Sequence, residues 1–300
     1  MKKRKHLYLH LLTLCFLAAF FFVVPVKAQA SSCRQCNRET KIGKYYIWND
    51  YNSHSLRIST SKSGNGKVLA KPSAGRSIAA FCISDGSTVY YAENGAYNSA
   101  GNCTSYIYKI RVNGKGRTKI GKLKNSSGPK AYYKGNLYLS CFDQSDGTLI
   151  HTYSMSVKTG KAKRIMKNAA IQQQNGQYLL ASPNSGAVIP LDLYIYNCKT
   201  KKQVRITKKS VSANIVGKKL YYAECVKDHG TNSTFRIRSC NLSGKSKKTI
   251  KGTLNASGIG KITSKYVCYY IYKNYGGYRY YRYDFKSKKA KEISYSSYSR

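Results

Sequence analysis

Acidic side chains are scarce in this chain, 11 against 53 lysines and arginines, so the few present are the first candidates for chemistry. Asp50, Glu93, Asp143, Asp146, Asp192, Glu224 and Asp228 fall in or beside short polar stretches, and so do His54, His151 and His229. Two carboxylates facing each other across a cleft, about 5–10 Å apart, could hydrolyse a glycosidic bond. The three histidines lack an H-x-x-x-H or similar spacing, which leaves little case for zinc. Asp228 and His229 are adjacent in the chain, which does not itself make a dyad. No serine elbow or phosphate loop is present, and neither a cofactor nor a metal is expected.

Two further residue sets could do chemistry. "CRQC", Cys33 to Cys36, has the spacing of redox and metal motifs. A redox pair needs a helix N-terminus to lower a thiol pKa, and zinc needs a second pair. With neither in view, a local staple or a tether to another chain is the reading. Cys82, Cys103, Cys141, Cys198, Cys225, Cys240 and Cys268 bring the total after Cys15 to an odd nine. In an oxidising compartment one would stay free or pair with another chain. The run "YVCYYIYKNYGGYRYYRYDF", Tyr266 to Phe285, is the densest in aromatic residues. Strand alternation sends half of those rings inward. Tyr275, beside Gly276 and Gly277, is expected to be exposed and free to stack on a ligand.

The elements that position these residues begin after a leader. Met1 to Lys5 is basic, Leu11 to Val26 is mostly apolar, and "AQA" ends at Ala30. That is the order of a secretory signal, with cleavage expected between Ala30 and Ser31. A lipoprotein signal at Cys15 or an uncleaved anchor are the alternatives. No later segment is apolar enough to span a membrane. The formal net charge of +42 then predicts a cationic surface that adheres to polyanions outside the cell. Export argues against nucleic acid, although arginine and tyrosine interleave at Tyr278 to Tyr283.

One phrase recurs along the chain. "YIYKIRVNGKGRTKI" from Tyr106 returns as "TYSMSVKTGKAKRI" from Thr152, "LYIYNCKTKKQVRI" from Leu193, "FRIRSCNLSGKSKKTI" from Phe235 and "YYRYDFKSKKAKEI" from Tyr280. A worn copy starts at Ser55. Aligning Gly66, Gly114, Gly160, Thr200, Gly244 and Ser287 gives a period of roughly 40–48 residues. A turn and an aromatic run, such as "KGNLYLS" at Lys134, precede each copy. Every unit therefore reads as four alternating strands joined by glycine hairpin turns. Six such units, about 41–71, 77–123, 128–167, 169–208, 211–251 and 256–295, predict an all-β, six-bladed β-propeller of four-stranded antiparallel blades. Residues 31–40 precede the first blade, and Ser294–Arg300 is either a fraying end or an outer strand closing the ring.

The unit "VYYAEN" to "SYIYKIRVNGKGRTKI" resembles the six-bladed propeller domains of low-density-lipoprotein-receptor type found in secreted proteins of Gram-positive bacteria, a domain of unknown function. The resemblance covers about Lys41 to Ile293. It implies the fold and no activity; the Tyr-Trp-Thr-Asp tetrad of the receptor propellers is absent.

Such a fold has two rims. The longer loops between second and third strands put Asp50, His54, Glu93, Asp143, Asp146, His151, Asp192, Glu224, Asp228, His229 and Tyr275 on one of them, as a ligand-binding set. The tight turns and outer strands carry the lysines, with Lys115, Lys161, Lys201, Lys245 and Lys288 as the polyanion-binding set. The sequence thus points to a secreted or envelope-associated, non-catalytic binding module for an anionic wall polymer, a polysaccharide or a surface protein. A glycosidase or lyase working from the loop rim is the alternative.

Overall fold

The computed structural model describes residues 33–143, 149–183, 191–230, 232–273 and 276–299. The expected leader with its expected cleavage point, Asp146 and Tyr275 lie outside them. Within the described residues the chain is almost wholly antiparallel β-sheet, and no helix is long and apolar enough to cross a membrane.

Alternation builds the strands. In Thr104–Arg111, Ser105, Ile107 and Ile110 are buried while the end residues Thr104 and Arg111 face water. β-Branched and aromatic side chains fit such a pleated, half-buried surface. The first sheet runs in chain order through Lys41–Ile42, Tyr45–Asp50, Ser55–Ser59 and Lys67–Ala70. The second holds Ile83–Ser84, Thr88–Asn94, Thr104–Arg111 and Thr118–Lys124, with Ser77–Ile78 also paired to Thr88–Asn94. At its inner edge lies Arg34–Gln35 from the N-terminal segment, antiparallel to Ile83–Ser84. The third is Ser126–Tyr133, Asn136–Asp143, Leu149–Ser156 and Ala162–Met166.

Next comes one seven-stranded sheet where two blades were expected: Ala170–Asn175, Tyr178–Ser182, Leu191–Asn197, Lys202–Val216, Lys219–Lys227, Ser233–Asn241 and Lys248–Ala256. The long strand Lys202–Val216 pairs with Leu191–Asn197 along its first half and with Lys219–Lys227 along its second. The sequence explains the fusion. The other links carry turn residues, as in "KPSAGR" at Lys71 or at Asn125 and Asn168, which adopt φ of +52° and +46°. "TKKSVS" at Thr207 has no glycine, proline or asparagine, so the backbone runs straight on. The last sheet is Gly258–Ile262, Tyr266–Lys273, Gly277–Asp284 and Ala290–Ile293. Behind it, Tyr295–Ser299 forms a helical turn and not a closing strand. The Tyr298 ring lies tilted with its centroid 4.8 Å from that of Tyr280, over Gly260, where a Cβ would come within 2.6 Å of the ring.

Apolar clusters sit between consecutive units. Ile47 and Leu56 meet Val89 and Tyr91; Ile83 and Ile107 meet Leu137 and Met155; Ala131 and Tyr138 meet Leu179 and Tyr196. Leu180 and Ile195 meet Leu220 and Tyr222, and Phe235 and Ile237 meet Val267 and Tyr269. Each unit thus buries a face on the next along the chain, the packing logic of a propeller. Among the described residues no such cluster joins the last sheet to the first.

Candidate functional site

The expected loop-rim residues take several different roles. Glu93 is fully buried, and a ligand on the rim does not reach it. Its carboxylate accepts from Arg117 and from the Ser73 backbone N–H at 3.2 Å, with the Arg76 guanidinium 3.7 Å away. His151 is also buried, and its Nδ1 accepts from the Asn168 N–H at 3.1 Å. Glu224 pairs with Arg238 at 3.4 Å, and Asp192 accepts from the Tyr194 hydroxyl at 2.9 Å. Asp50 closes its own turn: the Ser53 hydroxyl donates to it at 2.6 Å and Arg57 lies 3.3 Å away. Those contacts, the Ser53 hydrogen bond first, hold its carboxyl below the usual range. His54 sits exposed in that turn at φ +47°. Asp143 ends its strand opposite Leu149. Glu93, His151, Glu224, Asp192 and Asp50 thus each hold a structural partner through their side chains.

Asp228 and its surroundings differ. A cleft of about 480 Å³ opens between the Asp228 loop and the hairpin of the last sheet, lined by Asp228, Ser233, Ser257, Tyr270, Tyr272 and Tyr278 among others. The Ser233 hydroxyl donates to Asp228 at 2.8 Å and accepts from the His229 N–H at 3.2 Å. With the Gly230 N–H at 3.0 Å, these bonds hold the Asp228 carboxyl below the ordinary aspartate value. Tyr272 and Tyr278 are a cross-strand pair with rings 5.3 Å apart, both well exposed. The aromatic run had drawn notice to Tyr275, yet the described cleft rings are Tyr270, Tyr272 and Tyr278. Their register was legible: Tyr270 and Tyr272 are two apart and so share a face.

The second cleft is cationic. It spans about 390 Å³ between the third sheet and the next, lined by Lys161, Lys163, Arg164 and Lys201 together with Asn136, Tyr138, Ser154, Ser156 and Tyr196. No carboxylate is among those lining residues. The turn after Leu149–Ser156 brings Lys161 in, and Ala162–Met166 carries Lys163 and Arg164. Lys201 reaches the cleft from a turn in which it takes φ +58°, where the matching turn uses Gly160 at +69°. The repeat marker therefore falls on Lys201 and Lys288, one residue beyond Thr200 and Ser287. Of the other lysines singled out, Lys115, Lys245 and Lys288 are exposed in their own turns.

No family model matches the chain, and no curated protein does. Among solved structures it is similar to a Mycobacterium tuberculosis puromycin-hydrolyzing peptidase, with a TM-score of 0.51 and 11% identity, over 87% of this chain and 44% of that one. It also matches the β-propeller domain of the Trilobed protease from Pyrococcus furiosus, with a TM-score of 0.45 and 12% identity over 69% and 68%. TolB from Acinetobacter baumannii matches with a TM-score of 0.37 and 14% identity over 82% and 62%. The chain spans less than half of the peptidase, and at such identity the likeness concerns fold alone. The successive antiparallel sheets packed face to face are themselves arranged as in a β-propeller; the receptor-like subtype is not distinguished.

Proposed function

We propose that the protein is a non-catalytic binding module for an anionic polysaccharide or wall polymer, exported by its leader and closing six repeat units into a receptor-type propeller. The observation that carries the reading is the cationic cleft: four basic side chains converge from two neighbouring units, with no acid among the described lining residues. Lys163 and Arg164 lie on the outer strand of the third sheet, where edge protection also places lysines, whereas Lys161 and Lys201 come from turns of two different units. A concave group of like charges focuses field and concentrates a polyanion at one place.

Sugar hydrolysis finds less support. It requires two carboxylates across a cleft, and Asp228 is the one carboxylate among the described lining residues of the tyrosine cleft. Hydrogen bonds keep Asp228 ionised, which suits it poorly to donate a proton. Titrating the protein with polygalacturonate, with dextran as the neutral control, tests both readings. Binding of the polyanion alone, with no new reducing ends after long incubation, is the expected result. Release of reducing ends would put hydrolysis first, and equal binding of dextran would remove the role of charge.

A further inference from the structure

The N-terminal segment enters the fold through one short strand, and its two cysteines leave that strand in opposite directions. Arg34 lies opposite Ser84 and Gln35 opposite Ile83. The next pair in the same antiparallel register is Cys36 and Cys82, and the Cys36 N–H donates to the Cys82 carbonyl at 2.8 Å. Both thiols are buried in the cluster between the first and second sheets, beside Ile78 and Val89. Burial first, and then contact with the Cys82 thiol, hold the Cys36 thiol pKa well above its ordinary value. Cys33 instead packs in the next cluster, against Ala79 and Ile83.

We propose that Cys36 and Cys82 form a disulfide, a covalent clamp between the N-terminal segment and the inner strand of the second sheet. Directly opposed residues in an antiparallel hydrogen-bonded pair have Cα atoms ~5.5 Å apart, at the centre of the range that disulfides occupy. The C-x-x-C spacing suggests a Cys33–Cys36 staple, but geometry rules against it. Three residues of extended chain separate those Cα atoms by ~10 Å, beyond the ~7 Å limit for a bridge, and the two side chains enter different clusters.

The loop that the bridge closes contains the whole first sheet, Lys41 to Ala70. It also fixes Arg34 and Gln35 beside Phe81 and Lys130, in the wall of a 430 Å³ cavity at the inner strands. The bond forms during folding, before the two thiols are buried, by exchange with a small-molecule disulfide such as oxidised glutathione. One cysteine thiolate attacks the reagent and expels a thiolate; the second attacks the mixed disulfide and expels another. The protein loses two electrons and two protons, and two glutathione thiols appear. Once formed, the bridge is shielded from Cys33, whose thiol burial pushes up to about 12, so little thiolate exists to attack it.

The test is disulfide mapping of the full chain refolded in a glutathione redox buffer, alkylated before protease digestion and mass analysis. The expected product is a peptide pair linking Cys36 to Cys82, two hydrogens lighter than its reduced form. It should persist in Cys33→Ser and vanish in Cys36→Ser and Cys82→Ser. The oxidised protein should melt roughly 5–10 °C above the reduced one, with no such redox dependence in the two clamp variants. A Cys33–Cys36 or Cys33–Cys82 peptide, or alkylated Cys36 in the oxidised wild-type protein, would overturn the assignment. Mapping needs only the wild-type chain, so a variant that fails to fold leaves the test intact.

Discussion

Glu93 and Arg117 form an ion pair inside the second sheet, with Glu93 fully buried and Arg117 about one-third exposed. The Arg117 Nε also donates to the Tyr91 hydroxyl at 2.9 Å, and its guanidinium reaches Ser73 at 3.1 Å. Arg76 donates to the Tyr108 hydroxyl at 3.0 Å and lies 3.7 Å above the Tyr106 ring. The network ties the link between the first two sheets onto the second. Removing one partner of a buried pair strands the other, and here solvent reaches the arginines and softens the loss. Glu93→Gln should therefore cost about 2–4 kcal/mol in urea unfolding. A loss under 0.5 kcal/mol would mean the arginines relax into water at no cost.

Gly160 and Lys201 make an opposed pair of substitutions. A Cβ on Gly160 would lie 2.1 Å from the Ile120 carbonyl oxygen, and the residue already sits at φ +69°. Gly160→Ala should destabilise by about 1–3 kcal/mol. Lys201→Gly should relieve a strained φ and leave stability unchanged or raised by up to ~1 kcal/mol. It should also weaken polyanion binding by roughly two- to fivefold, the worth of one exposed charge. Chemical unfolding and a binding titration on the same samples separate the two effects.

Three turn aspartates give the protein its acid response. Hydrogen bonds from Ser53, Ser233 and Ser287 depress the carboxyls of Asp50, Asp228 and Asp284 respectively. A carboxyl with a depressed folded pKa binds fewer protons folded than unfolded. Its contribution is complete above the unfolded value near 3.9 and is lost as pH falls through the lower folded value. The melting temperature should hold steady above about pH 5 and drop below about pH 4. Asp284→Asn should flatten that drop without abolishing it.

The repeat was the legible part of this protein. Glycine turns and alternating aromatic strands announced four-stranded antiparallel units, and the hydrophobic clusters between sheets follow from the same alternation. The fusion of the fourth and fifth units was harder to see, because it depends on the absence of a turn residue in "TKKSVS". The cationic cleft was half visible: Lys161, Lys163 and Arg164 stand together in one turn and strand, while Lys201 joins them only through packing of the third sheet on the next. Glu93 was misleading for a physical reason. It lies at the loop end of a strand, yet two arginines distant in sequence satisfy it inside the sheet. Nothing local announces such long-range pairing.

The central claim is that the cleft of Lys161, Lys163, Arg164 and Lys201 is the polyanion site, and the salt dependence of polygalacturonate affinity tests it most directly. The logarithm of the association constant, plotted against that of salt concentration, has a slope set by the charges neutralised on the polyanion. Replacing those four residues by serine should lower the slope by about 3, taking 0.7–0.9 per contact. The same change at Lys286, Lys288, Lys289 and Lys291 should leave it nearly unaltered. Equal losses from the two sets would contradict the account, because the charge would then act over the whole surface and the cleft would hold nothing of its own.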